Sequence, residues 1–201
     1  MKYQLRDYQK KASDAAVMCF KMKSGRNGLL VLPTGAGKSL IIADIAARLE
    51  EPLIVFQPNK EILEQNFAKL QTYGIWDCSI YSASVGRKEI SRITFATIGS
   101  VIRHMKDFQH FKNILIDECH LVKPSDGMYK RFFEQAERRI VGLTATPYRL
   151  YSCMNGSMLK FLTRTRPRVF SQVLYYCQVS ELLAKGFLSR LKYYDVTRID
   201  L

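Results

Sequence analysis

Short runs of branched apolar residues alternate along this chain with longer segments of helical periodicity. The runs "GLLVL" (Gly28 to Leu32), "LIVF" (Leu53 to Phe56), "RITFA" (Arg92 to Ala96), "NILI" (Asn113 to Ile116) and "RIVGL" (Arg139 to Leu143) have no polar alternation. They predict strands buried on both faces. Between them, helical spacing predicts helices over Lys38 to Leu49, Glu61 to Leu70 (Leu63, Phe67 and Leu70 on one side) and Tyr129 to Glu137. Repeated strand-helix-strand order implies an α/β fold with a mainly parallel central sheet, layered between helices, and ligands outside the carboxyl ends of its strands.

The pattern divides the chain into a regular part over residues 1–150 and a remainder over 151–201. From Tyr151 to Arg168, "YSCMNGSMLKFLTRTRPR" is polar, basic and non-periodic, which predicts an irregular surface excursion. "VSELLAKGFLSR" then predicts a short helix and "LKYYDV" a strand, and a chain stopping so soon after a strand suggests that more protein follows.

Two of the strands run into chemistry. After the first, "VLPTGAGKSL" supplies Gly35 and Gly37 at a turn and then a helix, so the loop Pro33-Thr34-Gly35-Ala36-Gly37, through the N–H groups that follow Pro33, and the positive helix end are placed to surround phosphate oxygens. Lys38 would reach the β- and γ-phosphates of ATP and the Ser39 hydroxyl would ligate Mg²⁺. Leu32 stands where the strict P-loop pattern has its first glycine.

"KNILIDECHL" ends another buried strand in Asp117 and Glu118. A carboxylate pair there is costly to bury unless a cation or a reacting water offsets it. Placed at the end of a neighbouring parallel strand, Asp117 would face the P-loop and hold Mg²⁺, and Glu118 would polarise the attacking water. Thr144 and Thr146, two apart, point to one side.

Charge changes the picture in one respect. Thirty-one Lys and Arg against 18 Asp and Glu give a net charge of +13, which makes a polyanionic partner plausible. The basic stretch "KFLTRTRPR", with Phe161 among Lys160, Arg164, Arg166 and Arg168, has the makings of a phosphate grip with a stacking ring; a solvated loop is the commoner outcome. Five scattered cysteines form no metal-spaced cluster, the amino-terminal residues are too charged for a signal peptide, and no apolar run approaches a membrane span. A reduced, cytoplasmic protein is the expectation.

"PTGAGKS", "DECH" and "LTATP", in that order, resemble motifs I, II and III of superfamily 2 helicases of the DEAD/DEAH-box type, a branch that tolerates Leu32. "LRDYQ" resembles the Q motif of the type III restriction subunit and related groups. "YSASVGRKEISRITFATIGSV", "DGMYKRFF", "GLTATPYRL" and "KGFLSRLKYY" are similar to the RadD-like bacterial helicases.

The resemblance implies a three-layer RecA-like P-loop domain, the first lobe of an ATP-driven motor on nucleic acid, DNA before RNA, with a role in DNA repair. It implies that Gln9 hydrogen bonds adenine with Arg6 assisting, that His120, Thr144 and Thr146 link hydrolysis to strand movement, and that Pro58, Asn59 and Lys60 (motif Ia) with Thr97 and Ser100 (motif Ib) contact the nucleic-acid backbone. Asn59 and Thr97 have a plainer alternative as helix caps.

A second RecA-like lobe would bring the arginine finger, and no further Walker-like or motif VI-like pattern follows Leu150. The chain alone is therefore expected to bind nucleotide and hydrolyse it poorly. A small-molecule kinase would need an acceptor pocket and lid, and a GTPase an N-K-x-D sequence that is not found; an RNA helicase lobe, or a nucleic-acid-binding module with little ATPase activity, are the alternatives that remain.

Overall fold

The computed structural model describes residues 4–22, 26–153 and 156–190. An eight-stranded sheet forms its centre, in the order β10-β1-β7-β6-β2-β5-β3-β4. Its strands are β1 (Gly28–Val31), β2 (Leu53–Phe56), β3 (Cys78–Ser82), β4 (Arg87–Lys88), β5 (Ile93–Ala96), β6 (Asn113–Ile116), β7 (Arg139–Thr144) and β10 (Gln172–Tyr176). Every pairing is parallel except that of β3 with β4. The five sequence-predicted strands are all present.

Alternation along the strands feeds two cores. Leu30, Val55, Leu115 and Val141 face a layer made by α1 (Asp7–Lys21), α2 (Lys38–Arg48) and α3 (Lys60–Gln71). Leu29, Ile54, Ile114, Ile116 and Ile140 face a second layer holding α4 (Ile98–Val101) and α5 (Met128–Phe133). Strands covered on both faces need no polar positions, which explains the unbroken apolar runs. The result is a three-layer α/β fold of the RecA-like kind.

Three expectations need correcting. The stretch from Tyr151 to Arg168 is largely ordered: β8 (Tyr148–Cys153) pairs with β9 (Gly156–Phe161) in an antiparallel hairpin. The helix predicted to reach Glu137 stops at Phe133, because Arg138 turns inward, stacks on the Phe132 ring at 4.0 Å and donates to the carbonyls of Phe108, Phe111 and Phe132. And β6, which carries Asp117, is not the immediate neighbour of β1, since β7 lies between them. The remaining helix, α6 (Val179–Ala184), is shorter than "VSELLAKGFLSR" suggested, and "LKYYDV" lies outside the described residues. Among the described residues no helix is long and apolar enough to cross a membrane.

Candidate active site and nucleic-acid edge

All the chemistry-bearing segments emerge at the carboxyl ends of parallel strands. The turn Pro33 to Gly37 leaves β1 and opens α2, with Gly37 as the N-cap at φ 75° and ψ 41°. A side chain is excluded there on two counts. The backbone is left-handed, and a Cβ would stand 2.5 Å from the Gln9 Nε2.

Helix α1 holds this turn from beneath. The Tyr8 hydroxyl and the Gln9 amide donate to the Ala36 carbonyl at 2.9 and 3.0 Å, while the Gln9 Oε1 accepts from the Arg6 backbone N–H at 2.9 Å. Gln9 is buried and its carboxamide braces the P-loop, which leaves one amide hydrogen and one Oε1 lone pair for a further contact. The Arg6 guanidinium lies 4.2 Å from the centre of the Phe187 ring. An apolar cleft of about 870 Å³ opens beside the P-loop, lined by Val31, Pro33, Thr34, Ala145, Leu183 and Leu188 among others.

Across β7, Lys38 meets the acidic pair. Its Nζ is 2.8 Å from the Glu118 Oε1. Glu118 is the only non-glycine residue with positive φ among those described, at φ 47° and ψ 47°. Such a conformation costs on the order of 1 kcal/mol and persists only where the surroundings enforce it, as at reactive sites.

The enforcement is visible in β7. At Gly142 a Cβ would come within 2.6 Å of the Cys119 Sγ, so the missing side chain makes the space in which the turn after Glu118 folds. From Glu118 the polar contacts continue: its Oε2 is 3.3 Å from the His120 Nδ1, which bonds the Thr144 Oγ1 at 3.0 Å, which in turn accepts from the Thr146 N–H at 3.0 Å. Lys38, Glu118, His120, Thr144 and Thr146 thus form one chain of contacts.

Asp117 is 6% exposed. It accepts from the Glu118 N–H at 3.0 Å and from the Asn66 amide at 3.3 Å. Burial pushes its carboxyl up to about 6; Lys38 opposes the rise and Glu118 adds to it. Asn66 was not anticipated, although a polar residue on the Leu63-Phe67-Leu70 side of α3 was a readable signal. Its Oδ1 is buried without a partner.

These features fit a magnesium ion carried in by a nucleotide. A buried carboxylate short of positive charge and an unpaired acceptor beside it suit a hydrated cation, with Ser39 at the start of α2 as second protein ligand. Among the described residues no cluster of three His, Cys, Asp or Glu could cage a metal alone.

The other anticipated residues line the same sheet edge. Pro58, Asn59 and Lys60 follow β2, and the Asn59 side chain caps α3 by accepting from the Ile62 N–H at 2.9 Å. Thr97 follows β5 and caps α4 without a side-chain bond to its backbone. Ser100 is buried, its hydroxyl accepting from the Ala83 N–H at 2.9 Å and contacting the Thr97 Oγ1 at 2.9 Å.

Comparison with known proteins is consistent with this arrangement. The profile of the family described as "Type III restriction enzyme, res subunit" matches residues 2–149. The DNA 3'-5' translocase XPB2 of Sulfurisphaera tokodaii is 29% identical over 151 residues, covering 74% of this chain and 32% of the relative. The DNA 3'-5' helicase XPB of Mycobacterium tuberculosis is 29% identical over 154 residues, covering 72% and 27%. The chain thus spans about a third of the length of these relatives. A nuclease-deletion mutant of the Type ISP restriction-modification enzyme LlaGI, solved with a DNA substrate mimic, superposes with a TM-score of 0.65 at 16% identity, over 92% of this chain and 21% of that one, a likeness of fold.

Proposed function

Because this chain belongs to the family of type III restriction enzyme res subunits, we propose that it is the ATP-binding lobe of a superfamily 2 DNA helicase or translocase. The observation that carries the reading is the unbroken polar chain from Lys38 through Glu118 and His120 to Thr144. It joins a phosphate-binding lysine to Thr144 at the end of β7, on the sheet edge where Pro58, Lys60 and Thr97 follow β2 and β5. A site built only to bind nucleotide has no need of that connection.

Each residue has a defined task in this scheme. The amides of Thr34 to Gly37 and the Lys38 ammonium hold the triphosphate, and Gln9 and Tyr8 keep that loop in shape through Ala36. Asp117 and Ser39 hold Mg²⁺, which when bound neutralises charge on the phosphates. Glu118, carried on its left-handed turn, orients and deprotonates the attacking water. His120 and Thr144 feel the state of Glu118 and pass it toward Thr146 and the segment beyond.

Pro58, Asn59, Lys60 and Thr97 contact the nucleic-acid backbone, DNA in preference to RNA, and the work served is DNA repair in the cytoplasm. A second RecA-like lobe from the same longer protein supplies the arginine that completes hydrolysis, and movement comes from closure of two lobes around ATP.

The test is equilibrium binding of Mg²⁺-ATP together with hydrolysis, with and without single-stranded DNA. Saturable binding that Lys38→Ala abolishes, and slow turnover that Glu118→Gln removes, are the expected results. Binding indifferent to Lys38→Ala would overturn the assignment.

A further inference from the structure

The β8–β9 hairpin takes no part in this scheme, although it begins two residues after Thr146. Its register pairs Tyr148 with Phe161 and Leu150 with Leu159, so all four side chains lie on one face. They are exposed by 41%, 55%, 67% and 58%. The two rings meet edge to face at 6.3 Å and 78°, a pairing that keeps ring surface in the open. On the opposite face Arg149 donates to the Val122 carbonyl at 2.7 Å, which fixes the hairpin beside the turn that follows Glu118.

The root of the hairpin is firm. The Leu162 N–H donates to the Pro147 carbonyl at 2.8 Å, and Leu162 and Phe170 are buried in the second core. The segment between them carries Arg164, Arg166 and Arg168, all exposed. No Asp or Glu occurs anywhere between Glu137 and Glu181.

A sheet face this apolar calls for a covering partner, and the surrounding charge selects which one. Flat apolar groups joined by a regularly anionic backbone describe single-stranded nucleic acid. We infer that the β8–β9 hairpin and the arginines behind it form an additional binding site for single-stranded nucleic acid, in which bases stack on Tyr148 and Phe161 while Arg164, Arg166 and Arg168 hold phosphates. The site rests on the nucleic-acid reading proposed above. It extends the contact edge from β2 and β5 past β7, and its first strand begins two residues after Thr146, where the polar chain that starts at Lys38 ends.

The experiment titrates a dye-labelled oligothymidylate against the chain by fluorescence anisotropy at several salt concentrations, with Mg²⁺-ATP binding and sedimentation followed in parallel. The double variant Tyr148→Ala with Phe161→Ala, both at exposed positions, is expected to lose about tenfold or more in affinity with an unchanged salt dependence. The triple variant Arg164→Gln, Arg166→Gln, Arg168→Gln is expected to flatten the slope of log affinity against log salt by about 2. Phe161→Trp restores a stacking surface and is expected to bind at least as well as the parent chain, which separates stacking from damage to the fold.

Parent and double variant binding alike would overturn this site alone. A double variant that changes the chain from dimer to monomer without changing strand affinity would make the face a self-association surface and overturn it too. A parent chain that binds Mg²⁺-ATP but no strand of any kind would remove the nucleic-acid reading itself, and this site with it.

Discussion

Asp117 carries the largest electrostatic tension among the residues of the site. Its carboxyl is raised from 3.8 to about 6 chiefly by burial, so between those values the folded chain holds a proton that the unfolded chain has released. Stability is therefore expected to fall as pH rises through that window, by roughly 3 kcal/mol for the net shift. Asp117→Asn should flatten the urea-unfolding midpoint between pH 4 and 6.5 and abolish hydrolysis. Because a cation favours the ionised form, Mg²⁺-ATP affinity of the parent chain should increase as pH rises through about 6, measured by calorimetry. An affinity independent of pH there would place the metal elsewhere.

Single residues also show where the sequence stopped being legible. Lys38, Asp117 and Glu118 could be read because strand, glycine turn and helix follow one another locally. That Gln9 binds the Ala36 carbonyl, 27 positions away, could not, since nothing local distinguishes an amide turned toward a ligand from one turned toward the backbone. Asn66 sits 51 positions from Asp117 and was hidden for the same reason.

At the level of elements, the strands were legible where an apolar run is nearly unbroken, and less so where polar residues interrupt it. The edge strand β10 and the buried β3, with its serines, carry mixed patterns, and the hairpin β8–β9 exposes its apolar face, which reads as noise when burial is the guide. Helix ends follow local chemistry. Asn59 caps α3 through the Ile62 N–H, and Asn59→Ala is expected to cost about 1 kcal/mol in urea unfolding. Asn59→Asp keeps the cap and so the stability, yet should weaken strand binding severalfold if a phosphate lies there; equal binding by both would confine Asn59 to its structural task. Within β7, Gly142→Ala drives a methyl into the Cys119 Sγ and should lower stability by about 1–3 kcal/mol while disturbing the Glu118 turn. A variant that is stable and fully active would show that this turn has room to yield.

Taken as a whole molecule, the chain sets an acidic centre within a basic exterior, +13 overall. Association with DNA should therefore weaken steeply with salt, whereas nucleotide binding, governed by buried groups, should respond far less. Parallel titrations of the two ligands from 50 to 300 mM salt would show it, and similar slopes for both would contradict the separation. The fold class was legible at this scale because the alternation of elements leaves few topologies open. The strand order was not: nothing in the sequence says that β7 should lie between β1 and β6, so that Lys38 must reach past a strand to find its acid.

That reach makes the ion pair between Lys38 and Glu118 an interlock. In the scheme proposed above, the ammonium assigned to phosphate and the carboxylate assigned to water are bonded to each other, 2.8 Å apart. On that proposal, a triphosphate, with more negative charge than one carboxylate, would compete for the lysine far better than a lone phosphate. The removal of Lys38 would then be felt at Glu118 first, before any nucleotide is added.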